Sequence, residues 1–175
     1  ARFIRYVDNH DISNDDWHNR REKAWGAKGM EAALALLFTM DGMPFLYNGQ
    51  EAADTARHSI FGRAPIDWAN AETPAGKARF AFCQKLCQLR RSQPALTRGT
   101  LEWLDNDASD AILSFLRTTD NEQILVVLNL KDRPVKVKVL NVPAGPFKPL
   151  LQRDATAGDA GQFQLGAYGF FVGKK

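Results

Sequence analysis

The rhythm of apolar and polar positions changes partway along this 175-residue chain. Phe3–Val7 is a short run of strand formers. It is followed at once by the polar cluster Asp8-Asn9-His10-Asp11 and by a stretch rich in Asn, Asp and Trp that reads as a long loop through Arg21. Gly29–Met40 is built from strong helix formers and is apolar nearly all round, which predicts a heavily buried helix. Asp41-Gly42 stops it, and Pro44-Phe45-Leu46-Tyr47 predicts a second short buried strand. Residues 48–72 read as another long loop. Thr73 followed by Pro74 is a helix start; the apolar face of that helix falls on Ala78, Phe82, Leu86 and Leu89, and Pro94 ends it. Strand, loop, helix, repeated once, is the order of α/β units with a parallel sheet.

Beyond Pro94 the pattern shortens. Ile112–Arg117 and Gln123–Leu130 flank a polar turn and predict a hairpin. Val135, Val137 and Val139 alternate with Lys136 and Lys138, giving one buried and one charged face. Phe147–Leu151, Phe163–Leu165 and Tyr168–Val172 bring the total to six or seven strands, the texture of an antiparallel β-sandwich. The expected organisation is therefore an α/β part over residues 1–95 and an all-β domain over 96–175, with the boundary near Gln93–Leu96.

Composition adds mainly exclusions. Hydrophobic residues make up 45% and charged ones 25%, the balance of a chain that buries a core in water. The net charge of +3 is spread evenly and forms no basic patch, so no nucleic-acid partner is expected. Met30–Met40 is too short to cross a bilayer and is interrupted by Thr39, so no membrane association is expected either. Cys83 and Cys87, the only cysteines, stand one helical turn apart, which predicts two half-buried free thiols. No signal peptide is visible, and Ala1–Val7 reads as a strand that begins abruptly, so the chain is expected to be a piece of a longer protein. The compartment stays open, with a secreted or periplasmic location set ahead of a cytoplasmic one.

The cluster after the first strand is where chemistry is expected. If Phe3–Val7 is a barrel strand, Asp8, Asn9, His10 and Asp11 stand at its C-terminal end, where parallel barrels place their active sites. The competing reading is an Asx-rich turn that only ends a strand. Tyr47, Gln50 and Glu51 stand at the end of the next strand. Trp17, in the first long loop, is the better candidate for a sugar-stacking platform, ahead of Trp68; Trp25 opens a helix and reads as core. His18 and His58 read as surface loop histidines, and their spacing gives no metal pattern.

Tyr6-Val7-Asp8-Asn9-His10-Asp11 closely resembles the last catalytic segment of the α-amylase family of glycoside hydrolases, at the end of barrel strand seven. Gly42-Met43-Pro44-Phe45-Leu46-Tyr47-Asn48-Gly49-Gln50-Glu51 is similar to the family's strand eight, and Arg63-Ala64-Pro65-Ile66-Asp67-Trp68 to a segment of members that act on short glucans. The resemblance implies the last two β/α units of a (β/α)8 barrel followed by the family's C-terminal β-sandwich. It implies that Asp11 stabilises the positively charged transition state of a retaining cleavage of α-glucosidic bonds in starch or maltooligosaccharides, and that His10 hydrogen-bonds the same sugar ring. Tyr47 is either a sugar-stacking residue or a buried aromatic at the barrel mouth. Asp8, Asn9, Gln50 and Glu51 are assigned to supporting the loops.

The nucleophile and general acid of the family belong to barrel strands four and five, so the 175-residue chain alone is expected to be inactive. No cofactor or metal is implied for this segment; the family's usual calcium site belongs to upstream sequence. Two barrel units alone would leave Leu34, Leu37 and Phe82 exposed, which makes self-association a further expectation. A transferase or isomerase of the same family, or a non-catalytic carbohydrate-binding or structural relative, remains the alternative.

Overall fold

The computed structural model describes residues 3–15, 20–56, 58–59 and 61–175. They form two compact units, the first running to Leu37 and taking in Gly42–Gln88, the second comprising Phe38–Asp41 and Leu89–Lys175.

In the first unit, strand β1 (Ile4–Arg5) pairs in parallel with β2 (Met43–Pro44), Ile4 opposite Met43 and Arg5 opposite Pro44. The ladder is shorter than the apolar runs suggested, with the Met43 N–H donating to Phe3 O at 2.8 Å and the Phe45 N–H to Arg5 O at 2.9 Å. Helix α1 (His10–Asp15) lies where a loop was expected. Asn9 caps it, its Oδ1 accepting from the Ile12 N–H at 2.9 Å. Helix α2 (Arg21–Thr39) starts eight residues before the expected Gly29 and kinks at Gly26, whose φ of 66° is outside the helical region. Its body is buried as predicted, from Met30 through Leu34 and Leu37 to Phe38.

Helix α3 (Pro74–Ser92) starts on Thr73, whose Oγ1 accepts from the Gly76 N–H at 3.0 Å. Its buried stripe matches the predicted one at Leu86 and Leu89 and departs from it over the first turns. Ala78 is exposed and Phe82 half-buried, while Arg79, Cys83 and Leu86 are buried. The cause is an ion pair: Arg79 Nη1 and Nη2 grip both oxygens of the buried Glu22, and Nη2 also donates to Ala27 O at 3.2 Å. Cys83 is buried and Cys87 exposed, rather than both half-buried. The expected exposure of Leu34 and Leu37 is also corrected, because both are buried. Among the apolar groups that do reach solvent are Phe3, Ile4, Tyr6, Met43 and Phe45, on and beside β1 and β2.

The second unit begins one turn before the expected boundary. Arg90 Nη1 donates to Phe38 O and Met40 O at 2.8 and 2.9 Å, and the buried Arg117 donates to Thr39 O at 2.8 Å and Gly99 O at 2.9 Å. Burial, aided by the nearby charge of Arg90, pulls the Arg117 guanidinium down to about 10. Pro94 opens a further short helix, α4 (Pro94–Arg98), whose Ala95 N–H is held by the buried Glu122 carboxylate at 2.6 Å.

Six strands follow: β3 (Thr100–Trp103), β4 (Ile112–Thr119), β5 (Glu122–Asn129), β6 (Val135–Lys138), β7 (Lys148–Ala157) and β8 (Gln162–Lys174). All pairings are antiparallel, in the order β3-β4-β5-β8-β6 with β7 also on β8. The two strands expected over 163–165 and 168–172 are one strand, β8, folded over on itself. Phe163 and Phe171 would be about 27 Å apart on a straight strand, yet their ring centroids are 5.3 Å apart. The fold lies at Gly166–Gly169, beside the positive-φ residues Asp154 and Tyr168. A Cβ on Gly169 would lie 2.7 Å from Asp154 O, so only glycine permits the corner. One half of β8 pairs β6 and the other β5, and between them lies a core of Leu104, Leu116, Leu125, Val127, Val137 and Phe163 with their neighbours. Thus the two layers of the sandwich are parts of one continuous sheet.

Candidate functional site

The loops that follow β1 and β2 are placed by buried polar side chains. Asp8, 1% exposed, accepts at Oδ1 from the Asn9 N–H (3.0 Å) and the Ser13 hydroxyl (2.8 Å), and at Oδ2 from the Arg21 N–H (3.4 Å). It therefore ties the start of α1 to the start of α2. With Asp8 and Asn9 so occupied, the next two side chains point outward. His10 and Asp11 are 61% and 66% exposed, and His10 Nε2 lies 3.2 Å from Asp11 Oδ1.

The loop after β2 turns at Asn48-Gly49. Gln50 Oε1 accepts from the Tyr47 N–H at 2.7 Å, and Glu51 Oε2 from the Gly49 N–H at 3.0 Å, so both side chains fold back onto the turn that precedes them. Gly49 has a φ of 92°, and a Cβ there would stand 2.8 Å from Arg20 Nη2 and 3.1 Å from Asp54 Oδ2. Farther on, Asn70 Nδ2 donates to Ala52 O and Ala53 O, at 2.5 and 2.9 Å, pinning the same turn from the other side.

Beneath this turn lies a buried network that the sequence did not disclose. Arg20 Nη1 donates to Asp54 Oδ2 at 2.6 Å and contacts His58 Nε2, while Arg20 Nη2 donates to Asn48 O at 2.6 Å. His58 Nε2 is also 2.9 Å from Asp54 Oδ2. Asp54 Oδ1 accepts from the Ala56 N–H at 2.8 Å. The Arg20 guanidinium stands 5.6 Å from the centre of the Tyr47 ring, a cation–π distance. Burial raises the Tyr47 phenol above its usual value, opposed by Arg20 and assisted by Asp8.

A cavity of about 450 Å³ opens above the network, lined by His10, Tyr47, Asn48, His58, Ser59, Ala64, Pro65, Ile66 and Trp68. That volume is within the usual range for small-ligand sites. His10 and Tyr47, assigned from the sequence to substrate, meet in this cavity, and Asp11 stands beside His10. Asp8, Asn9, Gln50 and Glu51 bond to backbone and loop groups instead. Trp17 and His18 lie outside the described residues. His58 is buried, not a surface histidine, because Arg20 and Asp54 hold its Nε2. Trp25 is exposed rather than in the core and lies under the Arg21 guanidinium at 5.3 Å. Among the described residues, no group of three or more His, Cys, Asp or Glu side chains is arranged to hold a metal ion, and no helix is long and apolar enough to span a membrane.

Comparison with known proteins agrees with this architecture. The family model described as the maltogenic amylase C-terminal domain matches residues 101–172. An α-amylase of Haloarcula japonica is 33% identical over 151 residues, which is 83% of this chain and 20% of that protein. A cyclomaltodextrinase from a Bacillus species is 34% identical over 100 residues, 57% of this chain and 18% of that protein. The crystal structure of a maltogenic α-amylase from Thermotoga neapolitana shares the fold with a TM-score of 0.75 at 20% identity, covering 98% of this chain and 41% of that one. The chain belongs to the α-amylase family and corresponds to its C-terminal region. It spans about a fifth of the length of the curated relatives it matches.

Proposed function

We propose that this chain is the closing part of a retaining α-glucan-active glycosidase, in which β1, α2, β2 and α3 are the last two β/α units of an eight-stranded barrel. The observation that carries this reading is the convergence of His10 and Tyr47 on one cavity, with Asp11 adjacent to His10. Both loops leave parallel strands at the end where barrels of this kind assemble their sites. The apolar groups exposed on and beside β1 and β2 fit strands meant to be flanked by others.

In this reading Asp11 supplies a negative charge to the oxocarbenium-like transition state, and His10 donates to a hydroxyl of the same sugar ring. The outward aim of both side chains suits groups that meet a substrate rather than fill a core. The nucleophile and general acid come from other parts of the complete protein, so the 175-residue chain alone releases no sugar. Relatives named cyclomaltodextrin glucanotransferase favour transfer to a sugar hydroxyl as the second reading. The test is proton NMR of maltooligosaccharide cleavage by the complete protein. The reading expects the α-anomer as first product; the β-anomer, or no turnover on any α-glucan, contradicts it.

A further inference from the structure

His58 has no role in the reading above, yet it is built into the cavity with unusual care. Its imidazole lines the pocket, 6.0 Å from the Tyr47 ring centre and inclined to it by 55°. Its Nε2 faces two buried ions, Arg20 at 4% exposure and Asp54 at 1%. A guanidinium can only donate and a carboxylate can only accept, so Nε2 meets Arg20 as an acceptor or Asp54 as a donor, and in either tautomer these two groups engage Nε2 rather than Nδ1. The ring is thereby fixed in orientation. Arg20 fixes the facing wall as well, since it also holds Asn48 O and underlies Tyr47.

Burying an arginine, an aspartate and a histidine together is a costly way to fill space beneath a loop, because each ion loses its hydration. An imidazole held in one orientation beside an aromatic ring is, by contrast, a suitable wall for a ligand whose ring carries hydroxyls on its edges and apolar C–H groups on its faces. We propose that His58 is a substrate-contacting residue of this pocket, sharing a hydrogen bond with a hydroxyl of an α-glucan ring, and that Arg20 and Asp54 are the positioning residues that hold it there. The inference rests on the reading of the chain as part of an α-glucan-active enzyme, and adds to it a contact outside the Asp11–His10 pair.

The test uses the complete enzyme that carries this chain, with His58→Phe and His58→Gln. Phe keeps a ring beside Tyr47 but removes both nitrogens; Gln retains a donor and an acceptor. Kinetics on maltooligosaccharides of graded length are measured together with the thermal midpoint. A hydrogen bond made equally in the bound and transition states is worth about 3- to 10-fold. His58→Phe is therefore expected to raise KM by that factor for at least one chain length while leaving kcat within about twofold. His58→Gln is expected to recover most of the loss. A lowered thermal midpoint with unchanged KM in both variants overturns the inference and makes His58 a packing residue. If the wild-type enzyme turns over no α-glucan, the underlying reading fails and this inference fails with it. An active wild type with unchanged KM in the variants removes this inference alone.

Discussion

In the second unit, valines at 135, 137 and 139 and the facing rings of Phe163 and Phe171 close an apolar core, and the lysines between the valines face water. Around its cavity the first unit is held differently. Its loops hang on buried ions and amides that join distant positions: Arg20 to Asp54 across 34 residues, and Arg79 to Glu22 across 57. It also leaves Phe3, Ile4, Tyr6, Met43 and Phe45 in solvent. Apolar burial is non-directional and tolerates many sequences. Buried ion pairs demand particular partners in particular places, and here they shape the walls of a cavity.

The largest expected consequence is that the two units differ in independence. Residues 89–175 expressed alone should melt in a single cooperative transition. Residues up to 88 alone should show none, having exposed apolar strands and a two-residue ladder in place of a closed core. Differential scanning calorimetry of both pieces decides this. A molten second unit would show that its core relies on the Phe38–Asp41 segment, whose carbonyls Arg90 and Arg117 hold.

A smaller effect probes the ion network itself. Asp54→Asn removes the negative charge from a buried pair and leaves Arg20 uncompensated, at an expected cost of about 3–5 kcal/mol. Lys136→Ala on the wet face of β6 should stay within about 0.5 kcal/mol. Chemical denaturation of the complete protein compares them. Equal effects would erase the distinction drawn between the units.

Smaller still is the contribution of Cys83, whose thiol burial pushes up to about 12. The ordinary value of 9.0 applies in the unfolded chain, so the folded form holds the proton more tightly. The resulting stabilisation is complete below pH 9 and is lost as pH rises toward 12. At pH 8 iodoacetamide should modify the exposed Cys87 and spare Cys83 until the protein is unfolded. Equal rates for both thiols in the native protein would contradict the burial.

How far the sequence discloses these features follows from their physics. The valine–lysine alternation and the Thr73-Pro74 helix start are local, and they were readable. The single bent β8 was not, because Gly166–Gly169 resembles any turn between two strands until Asp154 is seen against it. Helix α1 could have been found from Asn9, a good capping residue three positions before Ile12. His10, Asp11 and Tyr47 were singled out by their position after strand-like runs and by family resemblance. Arg20, Asp54 and His58 gave no such sign: Arg20 has no pattern around it, and Asp54 and His58 sit in a polar loop where burial is not expected. Pairings over long sequence separation leave no periodicity to read.

The proposed chemistry falls most heavily on Asp11, and its replacement by Asn in the complete protein tests that role most directly. Asp11 is exposed and, among the described residues, pairs with the neighbouring His10, so the substitution removes a charge from the surface. Turnover per folded molecule should fall by about 10²–10³-fold, the scale of losing preorganised transition-state stabilisation. KM and the thermal midpoint should remain close to wild type. A lowered midpoint with normal turnover of the folded fraction would make Asp11 a turn residue and contradict the account.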